Sequence, residues 1–273
     1  MMDDLEALVA KARGGDRDSL EHLVVQIQRP VYNLALRMLW HPEDARDASQ
    51  EILIRVVTHL SSFRGESGFL TWVYRIAANH LITARQGPVE RQGPTFERFA
   101  EDLADGMADL PAESDEWPAD KALLLEEVKV GCMHALLTCL DRPHRLAYIL
   151  GEILELKGPE AARILGTSAE AFRKRLSRAR EAIVGFTRVH CGLVEAANPC
   201  RCGRRLRRAQ ELGRVDEAAL LFGRRDSALA FPGVLDRVRR LEGVQRTAAL
   251  YRATPDADPG PELLELIQAA LDP

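Results

Sequence analysis

The 273-residue sequence lacks the features that mark membrane and secreted proteins. No apolar run reaches the ~18 residues that a membrane-spanning helix requires, because Arg, Glu or Gly interrupts the longest ones. The chain starts with Met1-Met2-Asp3-Asp4-Leu5-Glu6, which is acidic where a secretory signal is basic and then apolar. Five cysteines are an odd number and too few for a disulfide scaffold. These absences predict a cytoplasmic protein with no membrane partner.

Alternating strand patterns are nearly absent as well, whereas helical spacing is common. Hydrophobic residues make up 46% of the chain, which is enough for a buried core. Apolar residues recur at three-and-four spacing from Leu20 to Leu39, and His41-Pro42 interrupts that helix. A second helix is expected from about Asp44 and a third from about Phe69 to Ala84. The predicted fold class is all-α.

The net charge of −4 hides two segments of opposite charge. Residues 97–127 hold eleven acidic against two basic residues, a net charge of −9. Residues 157–208 hold thirteen Lys or Arg against four Glu, a net charge of +9. The acidic segment contains Gly106, Pro111 and Pro118, which is typical of an extended linker. The basic segment is typical of a surface that binds a polyanion, so the overall charge does not exclude nucleic acid.

The basic segment contains a pattern that predicts a helix-turn-helix. Pro159 suits the first turn of a helix, Gly166 allows a tight turn, and Thr167 with Glu170 has the spacing of a capping box. In such a unit the second helix can enter the major groove, with its arginines on phosphates. The plainer alternative is a solvated basic face. The outward residues of this second helix are Arg173, Lys174, Arg175, Arg178 and Arg180.

Two further sets of residues in the first helical block could have a function. The first is an acidic face of one helix, formed by Asp44, Asp47 and Glu51 with Gln50 beside it. Three acids so placed could hold a metal, act as acid and base, or simply face solvent. Downstream, aromatic residues alternate with polar and basic ones. Unpaired bases need such rings for stacking and such polar groups for their edges and phosphates, although Trp72 could also face the core. This second group comprises Phe69, Trp72, Tyr74, Arg64, Arg75, Asn79, His80 and Arg85.

Together the two blocks resemble the RNA polymerase sigma factors of the sigma-70 superfamily, in the extracytoplasmic-function (ECF) group. The resemblance rests on residues 44–51, 63–65, 69–79 and 156–180. It implies that Asp44, Asp47, Gln50 and Glu51 dock onto the polymerase. It implies contacts with the melted −10 strand for Phe63, Arg64, Trp72, Tyr74, Arg75, Asn79 and His80. It implies −35 contacts for Thr167, Ser168, Glu170, Arg173, Lys174, Arg175 and Arg178.

The resemblance also implies a domain plan and partners. The expected domains are a region 2-like domain (1–85), an acidic linker (86–121), a region 4-like helix-turn-helix domain (122–186) and a helical C-terminal extension (187–273). Core RNA polymerase and promoter DNA are the expected partners of a non-enzymatic protein that requires no cofactor. Residues 80–83 and 157–160 depart from the family pattern, so the promoter preference of the family does not carry over to this chain. The alternative is a stand-alone helix-turn-helix regulator of duplex DNA.

The C-terminal extension carries a cluster of cysteines beside a histidine. His190, Cys191, Cys200 and Cys202 could form a zinc site, since zinc favours four such ligands, although adjacent ligand pairs strain a tetrahedral cage. They could also be redox-sensing thiols whose pKa is lowered by neighbouring arginines, or plain structural cysteines. The helices that follow are expected to pack on the second block. Because the cluster lies beside the DNA-reading helix, we expect the extension, or a separate anti-sigma factor, to regulate the activity.

Overall fold

The computed structural model describes residues 2–105, 121–222 and 225–271. Within these ranges the regular structure is helical, and Cys191 and Cys200 form an isolated β-bridge. The expected all-α class is confirmed. The helices are α1 (Met2–Arg13), α2 (Arg17–Leu39), α3 (Pro42–Thr58), α4 (Phe69–Thr83), α5 (Pro88–Arg91), α6 (Phe96–Asp105), α7 (Ala122–Thr138), α8 (Arg142–Tyr148), α9 (Gly158–Ile164), α10 (Ala169–His190), α11 (Cys202–Glu211), α12 (Arg225–Arg239), α13 (Gly243–Arg252) and α14 (Pro261–Leu271).

The described residues divide into two compact units. The first unit combines residues 2–92 with 156–174 and 257–271, and the second combines 93–105 and 121–155 with 175–222 and 225–256. Each unit therefore contains segments that are far apart in the sequence. The C-terminal extension contributes to both units.

A hairpin of α2 and α3 forms the centre of the first unit. Asp16 caps the start of α2 by accepting a 3.1 Å hydrogen bond from the amide of Ser19. The residue that follows α2, Trp40, has a left-handed φ of 50° and ends the helix, and the next helix starts at Pro42, where a missing amide proton costs nothing. The chain reversal thus falls at the predicted His41-Pro42 position.

The last helix, α14, packs against this hairpin. Leu263 and Ile267 are fully buried on one face of α14. The side chain of Asn33 donates a 2.9 Å hydrogen bond to the Ala257 carbonyl and accepts a 2.8 Å bond from the Ala257 amide. Glu262 lies 3.8 Å from Arg46 on α3. The expectation that the helices of the extension pack on the second block is therefore wrong for α14.

The second unit is built around α7, which packs against α11 and α12 of the extension. Glu126 and Lys129 form a fully buried ion pair, in which the Lys129 ammonium lies 2.8 Å from both carboxylate oxygens. Glu127 accepts hydrogen bonds from the backbone amides of Leu221 at 3.0 Å and Phe222 at 2.8 Å. Charged side chains of α7 therefore tie residues of the extension into the core of this unit.

The part of the acidic linker that the structure describes contains the helices α5 and α6. Helix α6 occupies Phe96–Asp105, where an extended segment was expected. The rings of Phe96 and Phe99 contact Phe186 of α10, with centroids 5.7 and 5.4 Å away. The helix forms because this amphipathic segment finds an aromatic partner within its own unit. Gly106, Pro111 and Pro118, on which the linker prediction depended, lie outside the described residues.

Candidate nucleic-acid interface

Helices α9 and α10 form the helix-turn-helix that the sequence predicts. Gly166 adopts a φ of 59° at the turn, which glycine reaches without steric cost. The start of α10 is capped by Ser168, whose hydroxyl accepts a 3.1 Å hydrogen bond from the amide of Ala171. The capping box expected from Thr167 to Glu170 is therefore displaced by one residue. Helix boundaries read from a sequence commonly shift by this amount.

The first turns of α10 present charged side chains to solvent. Arg173, Lys174 and Arg178 are exposed, and Glu170 forms a 2.7 Å ion pair with Lys174. Arg175 is half-buried, as is Thr167. The exposed groups can reach phosphates and base edges, whereas the half-buried ones have less freedom to do so.

Arg180, one of the outward arginines in the sequence analysis, has a partner within the protein. Its Nε donates a 3.0 Å hydrogen bond to Glu152, which precedes the helix-turn-helix. The pair holds α10 against the segment that follows α8. Arg180 is therefore a structural residue rather than a free cation.

The aromatic residues before and within α4 form a cluster. Phe63 contacts Phe69 and Trp72 at centroid distances of 5.4 and 5.5 Å, and Phe69 contacts Trp72 at 5.7 Å. Phe63 and Phe69 are buried, while Trp72 is half-buried. Trp72 thus packs on the core with part of its ring and leaves the rest accessible, and the two phenylalanines support it.

The polar members of the same segment separate into two groups. Arg64, Arg75 and Asn79 are exposed, and Tyr74 is half-buried. His80 instead points toward α3, with its side chain 11% exposed and its Nδ1 3.8 Å from Glu51. Burial lowers the pKa of His80, although the charge of Glu51 opposes this shift. The surface available to a nucleic acid here is formed by the first group together with Trp72.

The acidic face of α3 is only partly open to solvent. Asp47 and Glu51 are exposed and Gln50 is half-buried, while Glu51 also lies 3.4 Å from Arg55. Asp44 turns one carboxylate oxygen inward, and a Cβ atom at Gly87 would lie 2.3 Å from it. A larger residue at position 87 would therefore have to displace the Asp44 carboxylate. A basic partner would meet Asp47 and Glu51 first.

The proposed zinc ligands do not form a metal centre. The ring of His190 contacts that of Phe186, with centroids 4.5 Å apart. Across the described residues, no group of three or more His, Cys, Asp and Glu side chains is placed to hold a metal ion. The zinc interpretation from His190, Cys191, Cys200 and Cys202 is therefore not supported.

The thiols also lack the low pKa expected of redox sensors. Burial raises the pKa of Cys200 to about 11 and that of Cys202 well above its usual value, and neighbouring thiols act in the same direction. The charges of nearby arginines at Cys200 and of Lys129 at Cys202 do not offset this effect on the pKa. Arg201 directs its guanidinium to the carbonyl groups of Ala196 and Cys200. A buried protonated thiol is a poor nucleophile, so the structural interpretation of these cysteines is favoured.

Known proteins match this chain over both helical blocks. A family model described as Sigma-70 region 2 matches residues 23–87, and one described as Sigma-70, region 4 matches residues 131–183. The RNA polymerase sigma-H factor of Pseudomonas aeruginosa is 31% identical over 182 residues, which cover 65% of this chain and 91% of that protein. The ECF RNA polymerase sigma-E factor of Escherichia coli K12 is 32% identical over 182 residues, with the same coverage.

A solved structure of CnrH in complex with the cytosolic domain of CnrY aligns over 67% of this chain and 94% of that chain, with 21% identity and a TM-score of 0.43. No helix in the described ranges is long and apolar enough to cross a membrane.

The two blocks define a helical protein of transcription initiation with a helix-turn-helix. The chain belongs to the sigma-70 family of RNA polymerase sigma factors, in the ECF group. It directs promoter recognition and transcription initiation.

Proposed function

We propose that the chain acts as a non-catalytic, cofactor-independent specificity subunit that binds core RNA polymerase in the cytoplasm. Docking is assigned to the acidic face of α3, where Asp47 and Glu51 are exposed and Gln50 borders them. Asp44 supports this face from its half-buried position. Two neighbouring carboxylates on a rigid helix attract a basic surface and orient it.

Reading of the −35 element is assigned to α10. The observation that carries this proposal is the exposure of Arg173, Lys174 and Arg178 on a helix whose start is fixed by a glycine turn and a serine cap. This geometry suits a helix whose N-terminal part enters the major groove. Ser168 and Glu170 are exposed at the same end and complete the face.

Capture of the melted −10 strand is assigned to the surface beside α4. The accessible part of Trp72 offers a stacking face, and Arg64, Arg75 and Asn79 provide cations and an amide around it. Bases that have left the duplex stack on such rings, whereas a duplex does not need them. Phe63 and His80 contribute from beneath this surface, because both are largely buried.

Transcription in vitro with core polymerase tests the proposal. We expect run-off transcripts from the chain's own promoter only when core polymerase and the chain are both present. A stand-alone helix-turn-helix regulator would instead bind duplex DNA alone and would not co-purify with core polymerase. Failure to co-purify, together with absence of a transcript, would contradict the proposal and favour that alternative.

A further inference from the structure

Helix α6 of the linker is held to the C-terminal extension by a cluster of charged hydrogen bonds. Arg214 binds the Asp102 carboxylate with two nitrogens, at 2.7 and 3.2 Å. Arg205 donates to the same carboxylate at 3.0 Å. Both arginines lie beyond residue 183, where the region 4 match ends. Hydrogen bonds between a guanidinium and a carboxylate are about twice as strong as neutral ones.

Arg205 also donates hydrogen bonds to carbonyl groups at the C-terminal end of α6. Its NH1 group donates to the carbonyl oxygens of Asp102 at 2.8 Å and Leu103 at 3.3 Å. The last carbonyls of a helix have no partner within the helix, and a cation there also interacts favourably with the helix dipole. Arg205 itself is only 8% exposed, and Leu103 is buried beside it. The contact is therefore built into the fold of this unit rather than added at its surface.

The pKa of Asp102 agrees with this geometry. Burial alone would raise the pKa, but the hydrogen bond and charge of Arg214, followed by the charge of Arg205, outweigh it and leave the pKa below its usual value. The carboxylate is thus ionised at neutral pH and engages both arginines. Phe96 and Phe99 of the same helix pack on Phe186.

We propose that the C-terminal extension acts as an intramolecular clamp on the acidic linker. It holds α6 through the hydrogen bonds that Arg205 and Arg214 donate to Asp102. The clamp keeps α6 folded against the DNA-reading domain. A second part of the proposal rests on the proposed function: the clamp restrains transcription, because holding α6 on the extension shortens the connection between the residues assigned to the −10 and −35 elements.

The lengths show by how much folding of α6 shortens this connection. Elements at −35 and −10 are roughly 25 base pairs and so about 85 Å apart, at ~3.4 Å per base pair. The ten residues of α6 span ~15 Å as a helix but up to ~35 Å when extended. Release of α6 therefore adds about 20 Å to the connection, by the same per-residue lengths.

Hydrogen exchange on the full chain tests the clamp. Asp102→Asn keeps the size of the side chain and removes its charge, and Arg214→Ala removes the bidentate partner. We expect the amides of α6 to exchange ~10-fold faster in both variants, given the strength of hydrogen bonds to charged groups, with α2 unchanged. Arg207→Ala is the matched control, since this exposed arginine of α11 pairs only with Glu211 in the described contacts. Exchange of α6 within twofold of wild type in both variants would overturn the clamp.

Single-round transcription with core polymerase tests the restraint. We expect at least a twofold higher yield for Asp102→Asn than for wild type at low salt, and convergence of the two as salt screens the exposed Arg214 contact. Equal yields at low salt, in a variant whose α6 is shown to exchange faster, would overturn the restraint. Absence of any transcript with the wild-type chain would instead contradict the proposed function, and the exchange experiment would still decide the clamp.

Discussion

The hydroxyl of Thr71 donates a 2.6 Å hydrogen bond to Glu160. This bond links α4, which carries the aromatic surface, to α9, the first helix of the helix-turn-helix, and both helices belong to the first compact unit. Thr71 is only 8% exposed, so its hydroxyl has little access to water. A polar group in such a position depends on its protein partner.

Removal of this hydroxyl should weaken the packing of α9 on α4. Thr71→Val keeps the shape of the side chain, and we expect it to lower the free energy of unfolding by about 1–2 kcal/mol, because the acceptor is a carboxylate. Urea unfolding measures the change. A double-mutant cycle with Glu160→Gln checks its origin, since strictly additive effects would show that the two side chains do not interact.

A second prediction concerns the exposed arginines of α10. Arg173→Ala and Arg178→Ala should each weaken binding to the −35 element and reduce the slope of log affinity against log salt by about 1 for each phosphate that is no longer neutralised. Fluorescence anisotropy over a salt series measures both effects. Arg207→Ala on α11 is the control, because it removes an exposed arginine outside the proposed surface. An unchanged slope would contradict the placement of α10 on DNA.

The turns and helix ends could be predicted because the residues that specify them are close together in the sequence. The chain reversal at His41-Pro42 and the turn at Gly166 follow from residues within a few positions of each other. By contrast, Asn33 bonds to Ala257, 224 residues away, and Arg214 bonds to Asp102, 112 residues away. Helical periodicity identifies an apolar face but does not specify the helix that covers it. For this reason the positions of α6 and α14 could not be derived from the sequence.

For the candidate site residues as well, the sequence predicts exposure from local spacing but does not predict contacts with distant residues. Exposure at Arg173 and Asp47 follows from helical spacing, which separates inner from outer positions. The inward turn of Asp44 places its carboxylate beside Gly87, 43 residues further along the chain, and the burial of His80 depends on the packing of α4 against α3. In the sequence, Asp102 is one of the eleven acids of residues 97–127, and no local pattern distinguishes it from the others. The sequence does contain one sign that α6 is a docked helix, namely its apolar residues at helical spacing, which are Phe96, Phe99 and Leu103.

A third prediction separates strand opening from initial binding. Trp72→Ala should reduce heparin-resistant open complexes, since stacking of one base on an aromatic ring contributes ~1–3 kcal/mol. Closed complexes, measured by gel shift at low temperature, should change much less. Leu70→Ala is the control, because Leu70 is also partly exposed on α4. An equal decrease of both complexes would indicate a folding defect, caused by removal of the ring that packs on Phe63 and Phe69.

A fourth prediction follows from the buried imidazole of His80. Burial holds the folded-state pKa of His80 below 6.5, so the unfolded chain binds more protons between these two values. Stability should therefore be complete above pH 6.5 and fall as the pH drops through that value, with Glu51 nearby limiting the decrease and Arg55 increasing it. Urea unfolding between pH 8 and pH 5 measures this dependence. The same pH dependence in His80→Gln would contradict the assignment to His80.

A fifth prediction concerns the buried ion pair of α7. The exposed fraction is 0% for Glu126 and 1% for Lys129, whose ammonium also lies 3.7 Å from the centre of the Phe231 ring. Lys129→Met would leave the Glu126 charge buried without a counter-ion, which should cost about 3–5 kcal/mol. Burial already lowers the pKa of Lys129, even though the charge of Glu126 favours its protonated form.

The double variant Glu126→Gln/Lys129→Met separates two effects on stability. One is the cost of a buried charge without a counter-ion, and the other is the loss of the attraction between the two charges. It removes both charges and keeps an oxygen for the hydroxyl of Ser227, which donates to Glu126 at 3.2 Å. We expect it to recover at least half of the stability that Lys129→Met loses, because a neutral pair carries no desolvation penalty for ions. Thermal unfolding of the full chain measures both variants. If the double variant is as unstable as the single one, the ion pair contributes through its own attraction, and α7 needs that pair to hold the extension.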